Sequence, residues 1–203
     1  MSTSTAPPPA ALLDHRGRRR ARAATHLTHE QARLGTAFHE AGHAVVAMFY
    51  GMHVVSSEVI AWLSAPGQST VTGVTSVSVE SLEAIHPWRF AAQAAAGEIA
   101  QVQYLMVYGL WTPKRAMACA AAHDRDQAVD VLASLGYRLG HGRVPAGGKS
   151  WAMVQGMARR RIGYLWREIR TVAEAMNERT TLTGDDIAML TGLSNPRLIG
   201  GAA

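Results

Sequence analysis

The sequence predicts a mainly α-helical α+β fold with a small β-hairpin or sheet. Ala is abundant among the 203 residues and aromatic residues make up only 6%, which favours closely packed helices. Residues 53–79 are instead rich in Val, Ser and Thr and carry Pro66-Gly67 in their middle, a composition typical of two or three short strands around a turn. The length and an apolar fraction of 48% fit one globular domain with a tail.

Capping residues and glycines predict where the helices begin and end. Thr28 is a helix cap, Gln31 three positions later completes a capping box, and the first helix runs to about Gly51. Further helices are predicted over 82–108 with a kink near Pro87, over 124–135, over 149–177 as one or two segments, and after the cap Thr183. The Gly-rich segment 140–148 is predicted to be a loop.

The pentapeptide His39-Glu40-Ala41-Gly42-His43, inside the first predicted helix, has the pattern H-E-x-x-H. Residues four apart share one face of a helix, so His39 and His43 can both bind one zinc ion. Glu40 can reach a zinc-bound water as a general base without ligating the metal. The apolar residues that follow predict a buried helix, in which two His and a Glu are costly unless they are paired or bound to metal.

A catalytic zinc needs a third protein ligand, which must come from a distant segment. Val46 and Phe49 occupy the positions at which the longer metzincin motif has Gly and His, so that class is excluded. An acid at a helix start, such as Asp124, also has a purely structural explanation as a cap. The residues alone leave four candidates, of which the first two stand out: Asp124, Glu98, His123 and Asp126.

Roughly residues 27–193 resemble the peptidase domain of the FtsH-type AAA+ zinc metallopeptidases. The segment 36–44, TAFHEAGHA, resembles the zinc helix of that family most strongly. The other segments that carry the resemblance are the polar lead-in 27–34, the Gly- and Ala-rich 96–101 with Gly109 after it, Asp124 with Gln127-Ala128, and 165–190. The resemblance implies a helical zinc-peptidase domain in which Asp124 is the third metal ligand beside His39 and His43.

Three features depart from that family. Gln101 stands where the family usually has an acid, so a carboxylate that would support a metal ligand is missing. The proline-glycine strand between the first two helices of the family is not clear here. The family fuses this domain to an ATPase and a membrane anchor, and this sequence contains neither.

Most of the basic charge lies at the N-terminus. Residues 1–29 carry a net charge of +4 out of +5, from five Arg between positions 16 and 22 and one Asp. The pattern predicts a disordered basic arm over 1–26, a zinc metallopeptidase domain over 27–195 and a flexible tail over 196–203. A solvated arm is favoured over one that binds nucleic acid or acidic lipid.

The composition favours a cytoplasmic protein without a membrane span. Residues 90–111 are the most apolar stretch, but it is interrupted by four polar residues, Gln93, Glu98, Gln101 and Gln103. The N-terminus lacks the apolar region of a signal peptide. The single cysteine, Cys119, excludes an internal disulfide and is expected to be a buried structural thiol.

Two other groups of basic residues do not indicate a phosphate- or nucleic-acid-binding site. Gly148-Lys149-Ser150 resembles the end of a P-loop, but Arg143 occupies the position of the required first Gly, so a surface loop is favoured. The arginines at 159–161, 167 and 170 lie near Trp151 and Trp166 and predict an exposed helix face with inward-packed Trp side chains. Nucleic acid is therefore not a favoured partner.

These patterns predict a zinc metalloendopeptidase that cleaves unfolded or flexible polypeptides. Zn²⁺ is the expected cofactor, bound by His39, His43 and Asp124, with Glu40 as the catalytic base. The expected partners are polypeptide substrates, with a separate AAA+ ATPase or further copies of this chain compatible with the family resemblance. The alternative is an inactive peptidase-like interaction protein with a basic tethering arm, although a scaffold would not require Glu40.

Overall fold

The computed structural model describes residues 13–19, 26–65, 68–78 and 85–197. Within this part the fold is mainly α-helical with a small antiparallel sheet, so the predicted α+β class is confirmed. The helices are α1 (His29–Phe49), α2 (Pro87–Val107), α3 (Pro113–Ala118), α4 (Ala122–Ser134), α5 (Trp151–Tyr164), α6 (Trp166–Arg179) and α7 (Gly184–Thr191). The strands are β1 (Val54–Ala65), β2 (Gln68–Val77), β3 (Leu139–Gly140), β4 (Lys149–Ser150) and β5 (Thr181–Thr183).

Helix α1 is the central element and is buried along most of its length. The Thr28 side chain accepts a hydrogen bond from the Gln31 N–H, and the Gln31 side chain accepts one from the Thr28 N–H, which is the predicted capping box. At Gly42 an added Cβ would lie 2.7 Å from the Ala100 Cβ and 2.8 Å from the Ala96 carbonyl oxygen. Glycine at this position therefore lets α1 and α2 approach closely.

The helix predicted over 82–108 is present as α2, but it begins at Pro87, so the predicted kink at that residue is wrong. His86 caps the helix by accepting a hydrogen bond from the Trp88 N–H. Proline is well suited to the first helical position, because its missing N–H would have no partner there and its φ angle is already helical. The predicted start at 82 lies outside the described residues.

The sheet has the order β2-β1-β5 and is antiparallel throughout. Strands β1 and β2 pair from Val54↔Val77 to Ala65↔Gln68, and the predicted Pro66-Gly67 turn lies outside the described residues. The third strand, β5 (Thr181–Thr183), pairs with β1. The sequence patterns did not predict this strand and identified only Thr183, as a helix cap. Thr183 does cap α7, through a capping box with Asp186. The sheet covers one side of α1 and so brings β2 to the H-E-x-x-H motif.

The remaining elements cover the other sides of α1 and α2. The 149–177 region forms two helices, α5 and α6, which separate at Leu165. Trp151 is buried and Trp166 is partly buried against the core, so the expectation of inward-packed Trp side chains is confirmed. The sequence patterns miss helix α3 and the two-residue parallel pairing of β3 with β4 that flanks the Gly-rich loop.

Part of the N-terminal segment contacts the helix that carries Asp124. His15 Nε2 lies 2.7 Å from Asp130 Oδ2, and Arg16 Nε donates to the same oxygen over 2.6 Å. Residues 1–12 and 20–25 of the predicted arm, and 198–203 of the predicted tail, lie outside the described residues. Among the described helices, none is both long enough and apolar enough to cross a membrane.

Cys119 is buried, as expected for a structural thiol. Its Sγ donates a hydrogen bond to the Arg115 carbonyl oxygen over 3.3 Å. Burial, followed by the nearby charge of Glu98, raises the pKa of the thiol to about 12. The thiol is therefore neutral at physiological pH and is a poor nucleophile or metal ligand.

Candidate metal centre

The two motif histidines lie on one face of α1, as their spacing predicts. Both are buried, with 8% of His39 and 6% of His43 exposed, and their Nε2 atoms are 3.0 Å apart. Their rings meet edge to face, with centroids 4.7 Å apart. Two imidazoles that present the same atom to one point are costly inside a protein unless a proton or a metal ion lies between them.

Each histidine is oriented by an oxygen acceptor from α2. His39 Nδ1 lies 3.3 Å from Gln101 Oε1, and His43 Nδ1 lies 2.8 Å from the Gln93 carbonyl oxygen. An acceptor at Nδ1 places the proton of a neutral imidazole on that atom, which leaves the Nε2 lone pair available for a metal. Helix α2 thus holds both rings in the tautomer that metal binding requires.

Asp124 brings the third ligand atom. It lies in the first turn of α4, and its Oδ2 is 3.1 Å from His39 Nε2 and 3.3 Å from His43 Nε2. His123 Nε2 lies 3.1 Å from Oδ1, the other oxygen of the same carboxylate. Together His39, His43 and Asp124 form a group that could hold a metal ion.

The Asp124 carboxylate and the His43 imidazole shift each other's pKa. Burial alone would lower the pKa of His43, but the carboxylates of Asp124 and Glu40 raise it to about 9. Burial would raise the pKa of Asp124, yet the charge of His43 and hydrogen bonds from His123, His39 and His43 hold it well below its usual value. The Asp124 carboxylate thus stays charged in a buried position, and a metal ion could take the place of the proton on His43.

The other candidates for a third ligand do not join this group among the described residues. Glu98 is partly buried on α2, accepts a hydrogen bond from Gln155 Nε2 over 3.2 Å, and has a pKa raised by burial. Asp126 lies within 4 Å of guanidinium nitrogens of Arg18 and Arg125. His123 contacts Asp124 rather than the two motif histidines.

Glu40 lies beside the group and is held by the sheet. It is 5% exposed, and its Oε2 accepts a hydrogen bond from the Thr75 hydroxyl over 2.8 Å. Ser57 Oγ lies 2.9 Å from Thr75 Oγ1 and can donate to it while Thr75 donates to Glu40. An added Cβ at Gly73 would lie 2.5 Å from Glu40 Cγ, so strand β2 approaches the Glu40 side chain directly.

Gly97 makes room for the ligand atoms. An added Cβ at this position of α2 would lie 2.3 Å from His43 Nε2 and 2.5 Å from His39 Nε2. Any side chain larger than hydrogen would therefore occupy the point to which the two histidines are directed. The space between the helices is kept open at the place where a metal ion would be bound.

Replacement of Gly97 by Ala is expected to abolish metal binding. The new methyl group would displace both imidazoles, at a cost of about 1–3 kcal/mol in the free energy of unfolding. Metal content after purification and the thermal midpoint of unfolding measure the two effects. The matched control is Gly163→Ala on α5, where an added Cβ meets nothing within 4 Å, and it should retain metal and be at least as stable. Normal metal content in Gly97→Ala would contradict the placement of the ion.

Sequence patterns did not identify several residues of this site. Gln101 is treated as the position of a missing acid, whereas its amide oxygen contacts His39 in place of a carboxylate. Gln93 contributes only a backbone carbonyl, for which no side-chain signal exists. Thr75 lies 35 positions from Glu40, and only the packing of β2 on α1 brings them together.

The fold and the site define a mainly helical protein with a His-His-Asp group able to hold a metal ion. A scan against models of protein families and a search of curated proteins each found no match to this chain.

Proposed function

We propose that this protein is a zinc-dependent metalloendopeptidase that hydrolyses unfolded or flexible polypeptides. The observation that carries the proposal is the convergence of His39, His43 and Asp124 with the Glu40 carboxylate held beside them. The resemblance to FtsH-type peptidases supports the same reaction and is compatible with a separate ATPase or with assembly into a homo-oligomer.

Zinc fits the three ligand atoms. Zinc–nitrogen and zinc–oxygen bonds are about 2.0–2.1 Å long, so two ligands of a tetrahedral zinc ion are about 3.3 Å apart. The three separations in the group are 3.0, 3.1 and 3.3 Å, which matches that geometry closely. Two imidazoles and one carboxylate are a donor set typical of hydrolytic zinc sites, which leave a further position for water.

In the proposed hydrolysis the metal ion and Glu40 have separate roles. A zinc ion held by this group would lower the pKa of bound water toward about 7 and polarise a carbonyl. Glu40 takes the proton of the attacking water on its carboxylate and passes it to the leaving amine. Thr75 hydrogen-bonds one carboxylate oxygen, which orients the other for this proton transfer. Gln101 and the Gln93 carbonyl lie at the Nδ1 atoms and so direct Nε2 of each imidazole at the metal.

Strand β2 supplies a surface for an extended substrate. It forms one edge of the sheet, and through Thr75 and Gly73 it also contacts Glu40. A peptide that pairs with this edge as an additional strand would run past the Glu40 carboxylate. Backbone pairing has little dependence on side chains, which supports cleavage of loose polypeptides of varied sequence.

Thr75→Val is expected to lower the rate of peptide hydrolysis about tenfold, because a hydrogen bond to the buried Glu40 carboxylate is lost. Zinc content should not change, since Thr75 contacts none of the ligands. Thr75→Ser keeps the hydroxyl and is the matched control, so it should retain most of the activity. The measurement is kcat on a fluorogenic peptide. Equal rates for Thr75→Val and the unmodified chain would exclude a role of Thr75 in orienting Glu40.

The test of the proposed function compares two substrates. The purified chain loaded with zinc should degrade an unfolded polypeptide such as casein without ATP, and it should leave a tightly folded protein intact. A folded substrate hides its backbone groups, and exposing them costs up to its global stability of several kcal/mol. A zinc site by itself does not supply that work.

Each outcome of this comparison is informative. Loss of casein cleavage on removal of zinc, and its return on adding zinc back, would support the metalloendopeptidase. ATP-stimulated degradation of the folded substrate by the pure chain would contradict the need for a separate ATPase. No cleavage by a folded, zinc-loaded chain would favour the alternative, an inactive interaction protein with a basic tethering arm.

A further inference from the structure

A cavity lies away from the metal group, between the start of α2 and helix α5. Its volume is about 700 Å³, and its lining shares no residue with the His-His-Asp group. Three cationic side chains line it: Arg89 from α2, Lys149 from β4 and Arg160 from α5. The volume lies within the range of cavities that bind small molecules, about 300–1,000 Å³.

In the part of the chain that the structure describes, the positive charge of this cavity has no acidic counterpart. Among the described residues no acidic side chain lines the cavity, and no carboxylate lies within 4 Å of the charged groups of Arg89, Lys149 or Arg160. The neighbouring arginines differ, because Arg167 is paired with Glu168, and Arg170 lies 3.9 Å from Glu174. Three cations that line one concave surface raise its positive potential, because the low-dielectric walls focus the field.

Aromatic and apolar groups make up most of the remaining lining, which also includes His86 and Gly156. The Lys149 Nζ lies 5.4 Å from the centre of the Trp88 ring, which holds the ammonium group at the cavity. Met153 and Met157 of α5 line the same cavity, and 45% of Met153 is exposed. The N-terminal end of the 21-residue helix α2 adds its positive dipole at the same place. The cavity thus offers both a cationic rim and adaptable apolar surface.

Lys149 reaches this cavity through a local structure that is not a P-loop. Lys149 and Ser150 form strand β4, which pairs with β3, and the Ser150 side chain caps α5 by accepting from the Met153 N–H. In a P-loop these two residues would instead begin the helix and contact the phosphates and Mg²⁺ directly. The sequence Gly148-Lys149-Ser150 therefore serves to place one cation at the cavity, not to wrap a triphosphate.

We propose that this cavity binds a phosphate monoester whose remaining body is aromatic or apolar. Arginine presents a planar fork of N–H donors that matches phosphate oxygens, and Lys149 adds a compact positive charge. The cavity is much larger than a phosphate group, and Trp88 with the two methionines provides a surface for the rest of the ligand. Binding at this site requires neither the metal nor Glu40.

The phosphate monoester has two possible sources, a soluble small molecule or a lipid headgroup, and the experiment separates them. Calorimetric titration of the full chain uses a nucleoside 5′-monophosphate as the soluble probe and the parent nucleoside as the control without phosphate. Sedimentation with phosphatidylcholine vesicles, with and without phosphatidic acid, tests the lipid. Both are repeated with Lys149→Ala, Arg160→Ala and Arg159→Ala. Arg159 is exposed on the same helix as Arg160 but does not line the cavity. Its variant loses one positive charge, as the other two variants do, and is therefore the matched control.

Saturable binding of the monophosphate, at least about tenfold tighter than binding of the nucleoside, is the expected result. Lys149→Ala and Arg160→Ala should each weaken it at least about tenfold, and Arg159→Ala should leave it unchanged. Binding only to vesicles with phosphatidic acid, lost in the same two variants, would support the site and assign the phosphate to a lipid. Absence of binding to both probes, or equal weakening by Arg159→Ala, would overturn the proposal. Circular dichroism of each variant verifies that it is folded.

Discussion

Replacing Glu40 by Gln is expected to abolish peptide hydrolysis while the protein keeps its fold and its metal. Gln has nearly the same shape as Glu and can still accept the hydrogen bond from Thr75, but it cannot take a proton from water. Loss of a general base lowers a rate by about a hundredfold to ten-thousandfold. The measurement is kcat on an unfolded substrate, together with zinc content and the thermal midpoint of unfolding.

The matched control for this substitution is Glu98→Gln, which also neutralises a partly buried carboxylate near the site. Glu98 bonds to Gln155 and lies outside the metal group, so its variant should cleave at close to the normal rate. Cleavage by Glu40→Gln at the normal rate would show that Glu40 is not the base. Loss of zinc in Glu40→Gln would show instead that Glu40 supports the metal rather than the reaction.

Removing the Asp124 carboxylate should lower the affinity for zinc by more than about a hundredfold, because even partners that only support a metal ligand contribute about ten- to a hundredfold. Asp124→Ala removes the carboxylate that lies beside both histidines, and with it one of the three ligand atoms. Equilibrium dialysis against a zinc buffer measures the dissociation constant. Glu98→Ala is the control and should bind zinc normally.

The opposite result would change the ligand set. If Glu98→Ala lost zinc and Asp124→Ala kept it, the third ligand would lie on α2 rather than on α4. Zinc loss in both variants, with both chains folded, would contradict the three-ligand arrangement and indicate a larger set. Far-ultraviolet circular dichroism separates these results from unfolding, which matters because α4 has few buried residues, Ala128 and Leu132.

Helix α1 shows how far local patterns could predict the fold. The Thr28 and Gln31 capping box, the apolar run and Gly51 predict a helix from about 29 to 51, and the structure has His29–Phe49. These signals are local, since each acts between residues a few positions apart. The sequence left open whether 149–177 forms one helix or two, and it did not locate the break at Leu165. The strand Thr181–Thr183 was not predicted, because a short strand is stabilised by its partner, here β1, rather than by its own sequence.

For the candidate site, too, local spacing predicts some residues, and others depend on tertiary packing. The four-residue spacing of His39 and His43 determines that both imidazoles share one face of α1, and the sequence by itself identifies Glu40 as the neighbouring acid. The family resemblance implies Asp124 as the third ligand, but the residues themselves do not decide among Asp124, Glu98, His123 and Asp126. Helix propensity carries no information about which distant helix meets α1.

Only the tertiary structure decided that Asp124 meets the two histidines, that Gln101 and the Gln93 carbonyl orient them, and that Thr75 holds Glu40. Likewise, it brought Lys149 to one cavity with Arg89 and Arg160, which lie 60 and 11 positions away. The physical reason is that these contacts depend on how helices and strands pack around a shared core. That packing is set by the summed burial of many side chains, whereas spacing within one helix is set by its own geometry.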